Sequence, residues 1–287
     1  MFLPTTPEEV KALGWKSLDI ILVTGDTYID SPYSGVAIIG KTLLRAGYHV
    51  GVIAQPNVSD TADISRLGEP SLFWGVTSGT VDSMIANYTA TQRKRRSDDF
   101  TPGGANVLRP DRAVIAYTNL IKRYFKTTAP IVLGGIEASL RRVTHYDYWS
   151  DRLRAPILFD SKADYLLYGM ADKSIVDLAR TLRSGTSPLG IRGLCYLSKE
   201  KPDDFLELPS FEEVSLDPDA FIRMYHIFYH NNDPITARGI AQKKGDRFMV
   251  QNPPPPTMTA AELDRVNSLG YERGQHPYYE QQGAVKA

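Results

Sequence analysis

Short apolar segments alternate with amphipathic helical segments through the first two thirds of the chain. Near-continuous apolar runs, typical of parallel strands buried on both faces, occur at residues 19–23, 48–54, 71–77, 131–133 and 164–168. The segments between them carry apolar residues at helical spacing. The alternation predicts an α/β fold, with a doubly wound, mainly parallel five-stranded sheet in the flavodoxin-like order 2-1-3-4-5.

The pattern changes after residue 198. The chain becomes charged, and four consecutive prolines at 253–256 must be extended. Thr259 and Glu262 form a capping box for a short helix, whereas the last residues, 273–287, contain no recognisable closing element. We therefore predict an α/β domain at 1–198 and a helical and irregular extension at 199–287.

Glycine-bearing turns follow four of the predicted strands. Ligands bind beyond the carboxyl ends of the strands in open parallel sheets, and a glycine lets the backbone approach a flat or bulky group because it has no Cβ. A tight strand-to-helix turn without a ligand explains the glycines equally well. The candidate cofactor-binding residues are Gly25, Asp26, Ser78, Gly79, Gly134, Gly135, Glu137, Ser139 and Gly169.

Composition narrows the class of protein. The chain has 287 residues, of which 42% are hydrophobic and 23% charged, and its formal net charge is zero. It therefore lacks the overall positive charge of most nucleic-acid-binding proteins. Cys195 is the single cysteine, which excludes an intrachain disulfide and a cysteine-bound cluster held by this chain alone. No signal peptide or membrane-length apolar run occurs, so we expect a cytoplasmic protein.

Two polar segments are candidate binding sites. The cation run Arg93–Arg96 lies in a long polar loop, but Asp98 and Asp99 follow it and no aromatic residue is interleaved, so a solvated or lid-like loop is favoured over RNA binding. The aromatic and ionic cluster at 141–149, with His145 as its titrating member, could line a ligand site or pack in an interface. The sequence leaves both interpretations of this cluster open.

Other motifs argue against specific chemistries. His226 and His230 are four residues apart, but no H-E-x-x-H pattern is present. We therefore predict that these histidines stack with Tyr and Phe residues at a domain contact, and we predict no metal site. The loop at 25–35 lacks the dinucleotide-binding and P-loop glycine patterns. No G-x-S-x-G motif or other nucleophile–base pair occurs, and no catalytic residue is predicted.

Several of these segments together resemble one family. Gly134–Ser139 with Arg141-Arg142, His145–Trp149, Tyr168-Gly169-Met170 and Gln251–Pro254 resemble the amino-terminal half of YgiQ-type radical SAM proteins, and the similarity covers essentially the whole chain. The resemblance implies a cobalamin-binding-like domain at 1–198. It also implies that 199–287 lead toward a radical SAM barrel that this chain does not contain, so we expect a piece of a longer protein.

The resemblance also suggests cofactors and partners. The parent protein would bind a [4Fe–4S] cluster and S-adenosylmethionine and act as an enzyme on an unknown substrate, whereas this chain lacks the C-x-x-x-C-x-x-C motif and is expected to be inactive alone. Whether the domain binds cobalamin stays open, because Pro32 replaces the histidine of the D-x-H-x-x-G pattern at 30–35. The domain could bind cobalamin without that ligand or serve as a scaffold that positions the substrate.

The expected partner is the absent radical SAM domain, and neither a membrane nor nucleic acid is expected. The alternatives are an RNA- or protein-binding module that uses Arg93–Arg96, or an independent flavodoxin-like protein that binds a small ligand.

Overall fold

The computed structural model describes residues 1–286 and separates into two compact units. The first unit comprises Met1–Glu137 and the segment that starts at Met258, and the second comprises Ala138–Thr257. Both units contain helices and strands, so the fold is mixed α/β. No helix within residues 1–286 has the combined length and apolarity needed to cross a membrane.

The first unit contains the predicted alternation of strands and helices. Its elements up to the division are α1 (Pro7–Ala12), β1 (Ile20–Thr24), β2 (Ile29–Asp30), α2 (Gly35–Arg45), β3 (Val50–Ala54), α3 (Ala62–Ser65), β4 (Phe73–Thr77), α4 (Ser83–Asn87), α5 (Ala113–Tyr124), β5 (Ile131–Leu133) and α6 (Gly135–Leu140), which crosses the division.

A parallel sheet forms the centre of this unit, in the order β3-β1-β4-β5. In β1, Ile20 is aligned with Val50 on one side and with Phe73 on the other. Every residue of β1 and β3 is buried, as expected of apolar strands covered on both faces. The four strands follow the order predicted for them, while the complete five-stranded flavodoxin-like arrangement stays a prediction.

The second unit has a mixed sheet. Its elements are β6 (His145–Asp147), β7 (Arg152–Arg154), α7 (Ile157–Ser161), β8 (Tyr165–Leu167), α8 (Asp172–Arg183), β9 (Leu194–Ser198), β10 (Leu206–Leu208), α9 (Phe211–Leu216), α10 (Pro218–Tyr229), β11 (Ile240–Lys244) and β12 (Arg247–Gln251). Strands β6 and β7 form a hairpin. The other strands follow the order β10-β11-β12-β9-β8, in which only β10 and β11 are parallel.

The compact units do not divide at residue 198, where the sequence placed a boundary. Strand β9 ends at Ser198 and pairs with β12, so that Cys195 is aligned with Gln251. The segments on either side of residue 198 therefore share one sheet. The sequence missed β11 because its middle residue, Gln242, is polar yet fully buried. The Gln242 amide accepts from Thr144 N at 2.8 Å and donates to Pro209 O at 3.0 Å.

The C-terminal segment returns to the first unit. It contains α11 (Ala260–Asn267), β13 (Gly274–Gln275) and α12 (Pro277–Glu280). Strand β13 pairs antiparallel with β2, and the buried Tyr279 hydroxyl accepts from Ala54 N at 2.8 Å. The expectation that residues 273–287 lack a closing element was wrong, because pairing to a distant strand leaves no local pattern in the sequence.

Candidate functional site at the carboxyl ends of the strands

Three glycine-bearing turns meet at the carboxyl ends of β1, β4 and β5, and we call these turns, residues 25–26, 78–79 and 134–135, the rim. Gly25 N donates to Thr77 O at 3.2 Å, and Gly134 N donates to Val76 O at 2.9 Å. Six of the nine predicted binding residues therefore lie together in one unit. This convergence follows from the parallel sheet, whose strands all end at the same edge.

The glycines of the rim make room for the chain itself. A Cβ built on Gly25 would lie 2.1 Å from Ser78 O, and one on Gly79 would lie 2.2 Å from Asp26 Oδ1. A Cβ on Gly135 would lie 2.3 Å from Thr77 Oγ1. Gly79 and Gly135 also have positive φ angles of 102° and 79°, which other residues rarely adopt. The close approach that the glycines permit is thus an approach of neighbouring turns to one another.

A buried ion cluster lies across the rim, and we call Arg109, Asp26 and Asp98 the Arg109 network. Arg109 Nη1 lies 2.7 Å from Asp26 Oδ1, and Nη2 lies 2.9 Å from Asp98 Oδ2. The contact to Asp26 Oδ1 is an ion pair without hydrogen-bond alignment. Arg109 Nη1 also donates to Ser78 O at 2.6 Å. All three side chains are at most 7% exposed.

The charges of this network support one another. Burial of Arg109 opposes its charged form, but the nearby carboxylates of Asp26 and Asp98 outweigh that effect and raise the pKa of the guanidinium. Asp26 Oδ2 also accepts from Thr80 N at 2.5 Å. The Asp26 carboxylate is therefore held by the cation of Arg109 and by the backbone amide of Thr80, which lies in a different loop.

The long polar loop at residues 89–108 contributes hydrogen-bond partners to the residues around the rim. Thr27 N donates to Phe100 O at 2.9 Å, and Gln55 Nε2 donates to Thr101 Oγ1 at 2.7 Å and to Gly25 O at 2.9 Å. The loop therefore packs on the ends of β1 and β3. Sequence reasoning did not select Arg109, Asp98, Gln55 or Thr101. The unusual length of the loop was the one available signal, since loops of that length are commonly functional.

The three remaining predicted residues do not join the rim. Glu137 is 1% exposed, and its two carboxylate oxygens accept from Ser83 N at 2.9 Å and from Val114 N at 3.1 Å. It thus satisfies backbone donors at the starts of α4 and α5. Ser139 and Gly169 belong to the second unit. Gly169 has a φ of 73°, and a Cβ there would make an ordinary contact with Pro255.

The aromatic and ionic cluster at 141–149 contributes a hairpin to the second unit. His145 lies on β6, and its Nδ1 is 3.1 Å from Val143 O. Burial lowers the pKa of His145, and its buried Nε2 has no hydrogen-bond partner among the described residues. On the same hairpin, Arg154 pairs with Asp160 at 2.7 Å. Burial therefore disfavours the charged form of His145, which packs within its own unit.

His226 on α10 and His230 directly after its end are exposed. Their rings stack on each other, with centroids 5.9 Å apart and an interplanar angle of 7°. Tyr225 and Tyr229 stack in the same way on this helix, with ring centroids 5.8 Å apart.

Among residues 1–286, no group of three or more His, Cys, Asp or Glu side chains is arranged to hold a metal ion. Cys195 is buried, and burial raises the pKa of its thiol to about 12, which disfavours the thiolate that a metal needs.

The cation run is exposed. Arg95 folds back so that its Nε donates to Tyr88 O at 3.1 Å, and its backbone N donates to Asn87 O at 2.7 Å. The run is thus attached to α4 through Arg95, while the other three cations extend into solvent.

The family comparison decides what kind of chain this is. A family model described as Radical SAM N-terminal matches residues 2–287. The chain belongs to this family. The resemblance drawn from the glycine-rich, arginine and Gln-Asn-Pro-Pro segments is thereby confirmed at the level of the family.

Curated relatives extend beyond the length of this chain. A UPF0313 protein of Fusobacterium nucleatum is 55% identical over 287 residues, which are 100% of this chain and 50% of that protein. UPF0313 proteins of Thermotoga maritima and Methanocella arvoryzae are 52% and 48% identical, over 100% and 96% of this chain and 51% and 47% of theirs. The chain therefore spans about half the length of the curated relatives it matches.

Two solved structures are distantly similar, both of the radical S-adenosylmethionine methyltransferase TsrM from Kitasatospora setae. The structure with tryptophan and a SAM analog has a TM-score of 0.41 and 19% identity, over 62% of this chain and 28% of that one. The structure with cobalamin and a [4Fe–4S] cluster has a TM-score of 0.39 and 19% identity, over 63% and 27%.

The rim can be tested for its fit to cobalamin. The space beside Gly25, Gly79 and Gly135 is filled by the chain's own atoms, and the Arg109 network lies across the turns. No open cradle for a flat corrin is left at these three glycines, and Pro32 offers no cobalt ligand. The rim residues therefore do not fit cobalamin. A [4Fe–4S] cluster has no ligand set here either, because such a cluster is held by several cysteine thiolates and this chain has one cysteine, which is buried.

Proposed function

We propose that this chain is a non-catalytic scaffold of a radical SAM enzyme, which supports the catalytic part of the longer protein and helps to position its substrate. The observation that carries the proposal is the Arg109 network. A site built to receive a cofactor keeps polar groups available for it, whereas the carboxylates of Asp26 and Asp98 are bound by Arg109. A parallel sheet whose rim turns are held together by buried ion pairs is a rigid support.

A scaffold needs a surface for the part that it supports. Helix α10 carries Ile222, Tyr225 and Tyr229, which we call the α10 stripe and which are 51%, 50% and 61% exposed. Their spacing places them along one side of the helix, while Ala220 and Met224 on the other side are buried. We propose that the α10 stripe docks on the remaining part of the longer protein, since the F. nucleatum relative is about twice as long as this chain.

Separate expression of the two parts tests this proposal. The chain and the remaining part of its longer protein are produced together, with an affinity tag on the chain only. Co-purification in a one-to-one ratio through gel filtration is the expected result. If the parts elute separately while each is folded by circular dichroism, the scaffold proposal is wrong.

The alternative function is RNA or protein binding through Arg93–Arg96. Its support is that Arg93, Lys94 and Arg96 are exposed and have no carboxylate partner within residues 1–286. Salt-dependent retention on RNA, lost when these cations are replaced, would favour it over the scaffold. A cofactor that co-purifies with the chain would instead favour an independent small-ligand-binding protein.

A further inference from the structure

The second unit contains a half-buried arginine whose charge has no counterion. Arg142 Nε donates to Gln251 Oε1 at 2.8 Å, and its Nη2 donates to Asn232 Oδ1 at 3.3 Å. Its Nη1 donates to Ser139 O. All these acceptors are neutral, and no carboxylate lies within ion-pair distance of Arg142 among residues 1–286.

Two aromatic rings fix the plane of this guanidinium. The Arg142 Cζ atom lies 4.6 Å from the ring centroid of Tyr168 and 4.6 Å from that of Phe228. Cation–π contacts of this kind hold a cation without neutralising it. Burial lowers the pKa of Arg142, so the folded protein bears an electrostatic cost that an anion would relieve.

Arg192 is a second cation of the same kind. Its Nε donates to Pro254 O at 2.9 Å and its Nη2 to Pro234 O at 2.7 Å, and it too has no carboxylate partner within residues 1–286. The residue after it, Gly193, accepts from Tyr168 N at 3.0 Å. Burial raises the pKa of Tyr168, and the nearby charges of Arg142 and Arg192 both oppose that rise. Both guanidiniums therefore lie near the Tyr168 hydroxyl.

One short segment orients both cations. Gln251 holds Arg142, Asn252 O accepts from the Tyr168 hydroxyl at 2.6 Å, and Pro254 holds Arg192. The prolines have no N–H group, so their backbone offers carbonyl acceptors and no donor. The segment positions two guanidinium groups and supplies no negative charge. This gives a physical role to the Gln251–Pro254 motif, which the scaffold function does not use.

We propose that Arg142 and Arg192, the arginine pair, form a binding site for an oxyanion, that is, the carboxylate or phosphate group of a small ligand. A guanidinium has five N–H donors. Arg142 uses three of them and Arg192 two, so two remain on Arg142 and three on Arg192. Planar, fixed donors of this type match the oxygens of carboxylate and phosphate.

Arg109 is a buried arginine that, unlike the arginine pair, is not expected to bind an oxyanion. It is buried in the first unit with Asp26 and Asp98 as partners, so its charge is already neutralised and no anion is required. The arginine pair differs in having only neutral acceptors. The proposal does not depend on the scaffold function, because it concerns residues of the second unit alone.

Nuclear magnetic resonance of the arginine Nε–H groups tests the site directly. The chain is titrated with inorganic phosphate and, separately, with acetate at constant ionic strength. We expect the Arg142 Nε–H signal to shift to saturation with at least one of the two anions, and the better anion identifies the ligand group. Arg142→Lys identifies the signal by its loss.

Substitutions distinguish a specific oxyanion site from nonspecific electrostatic attraction of anions to the protein. Arg192→Gln should weaken the affinity roughly tenfold or more, as expected for the loss of a charge-assisted hydrogen bond. Arg180→Gln is the control, because Arg180 is exposed and paired with Asp177. Neither anion giving saturation, or shifts of equal size at Arg142 and at exposed arginines, would overturn the proposal. The wild-type titration decides the matter even if Arg142→Lys does not fold.

Discussion

The Asp26 carboxylate occupies the space in which a side chain of Gly79 would lie. A Cβ on Gly79 would be 2.2 Å from Asp26 Oδ1, and the φ angle of Gly79 is 102°. Gly79→Ala should therefore combine two costs, about 1–2 kcal/mol for the backbone conformation and about 1–3 kcal/mol for overlap with Asp26. The free energy of unfolding, measured with urea, checks this sum.

Gly47→Ala is the matched control for that substitution. Gly47 also has a positive φ, 87°, but a Cβ there would have no neighbour within 4 Å, so only the conformational cost applies. Equal losses for the two variants would show that the space beside Gly79 is not filled by Asp26, and the account of a closed rim would then fail.

Removal of the Arg109 cation should strongly destabilise the first unit. Arg109→Gln leaves Asp26 and Asp98 buried without their counterion, and breaking such pairs costs roughly 3–5 kcal/mol. Adding Asp98→Asn should restore part of the loss, since the uncompensated negative charge is reduced. Strictly additive effects in this double-mutant cycle would contradict direct coupling.

The stability of the chain should fall as the pH drops below the unfolded-state pKa of histidine, 6.5. Burial lowers the folded-state pKa of both His145 and His276, so the unfolded state binds more protons in this range and is favoured by acid. The stability that the two histidines contribute is fully present above pH 6.5, and it is lost as the pH falls through their folded-state pKa values. Thermal denaturation between pH 7.5 and 5 measures the effect.

Replacing one histidine shows whether its side chain causes this pH dependence of stability. His145→Asn removes one of the two groups and should flatten the curve in that range. His226→Asn, at an exposed position, is the control for the effect of the substitution itself. A melting temperature that is constant from pH 7.5 to 5 in the wild type would contradict the burial of these rings.

Charges placed on the α10 stripe should prevent assembly with the remaining part of the longer protein. Tyr225→Lys with Tyr229→Lys replaces two half-exposed rings, and this change should abolish co-purification while the melting temperature stays nearly constant. Tyr124→Lys changes a tyrosine of the first unit that is 46% exposed, and it should not affect co-purification. Co-purification that survives the double substitution would place the docking surface elsewhere.

Much of the first unit could be predicted because its signals are local. Pro130 and Gly134 bound the apolar run of β5, and the predicted strand coincides with Ile131–Leu133. The capping box of Thr259 and Glu262 is confirmed at the start of α11. In both cases neighbouring residues alone specify the conformation.

The closing elements and the ion network could not be predicted in this way. Gly274 pairs with Asp30, and Arg109 pairs with Asp26, so each contact joins residues that are far apart in the sequence. The sequence suggested that the glycines let the backbone approach a flat or bulky group, or form tight turns without a ligand, and atoms of the chain itself lie beside Gly25, Gly79 and Gly135. The sequence could not tell that their neighbours are parts of the chain itself, which is a property of the packing.

Equilibrium dialysis of the wild-type chain against hydroxocobalamin measures whether the rim is closed to this cofactor. If the rim is a closed scaffold, the cobalamin concentration will be equal on both sides of the membrane, and the corrin absorbance spectrum will be unchanged at saturating protein. Stoichiometric retention of cobalamin that is lost on Asp26→Asn or Arg109→Gln, with the variants still folded, would place the cofactor at the rim and contradict the account.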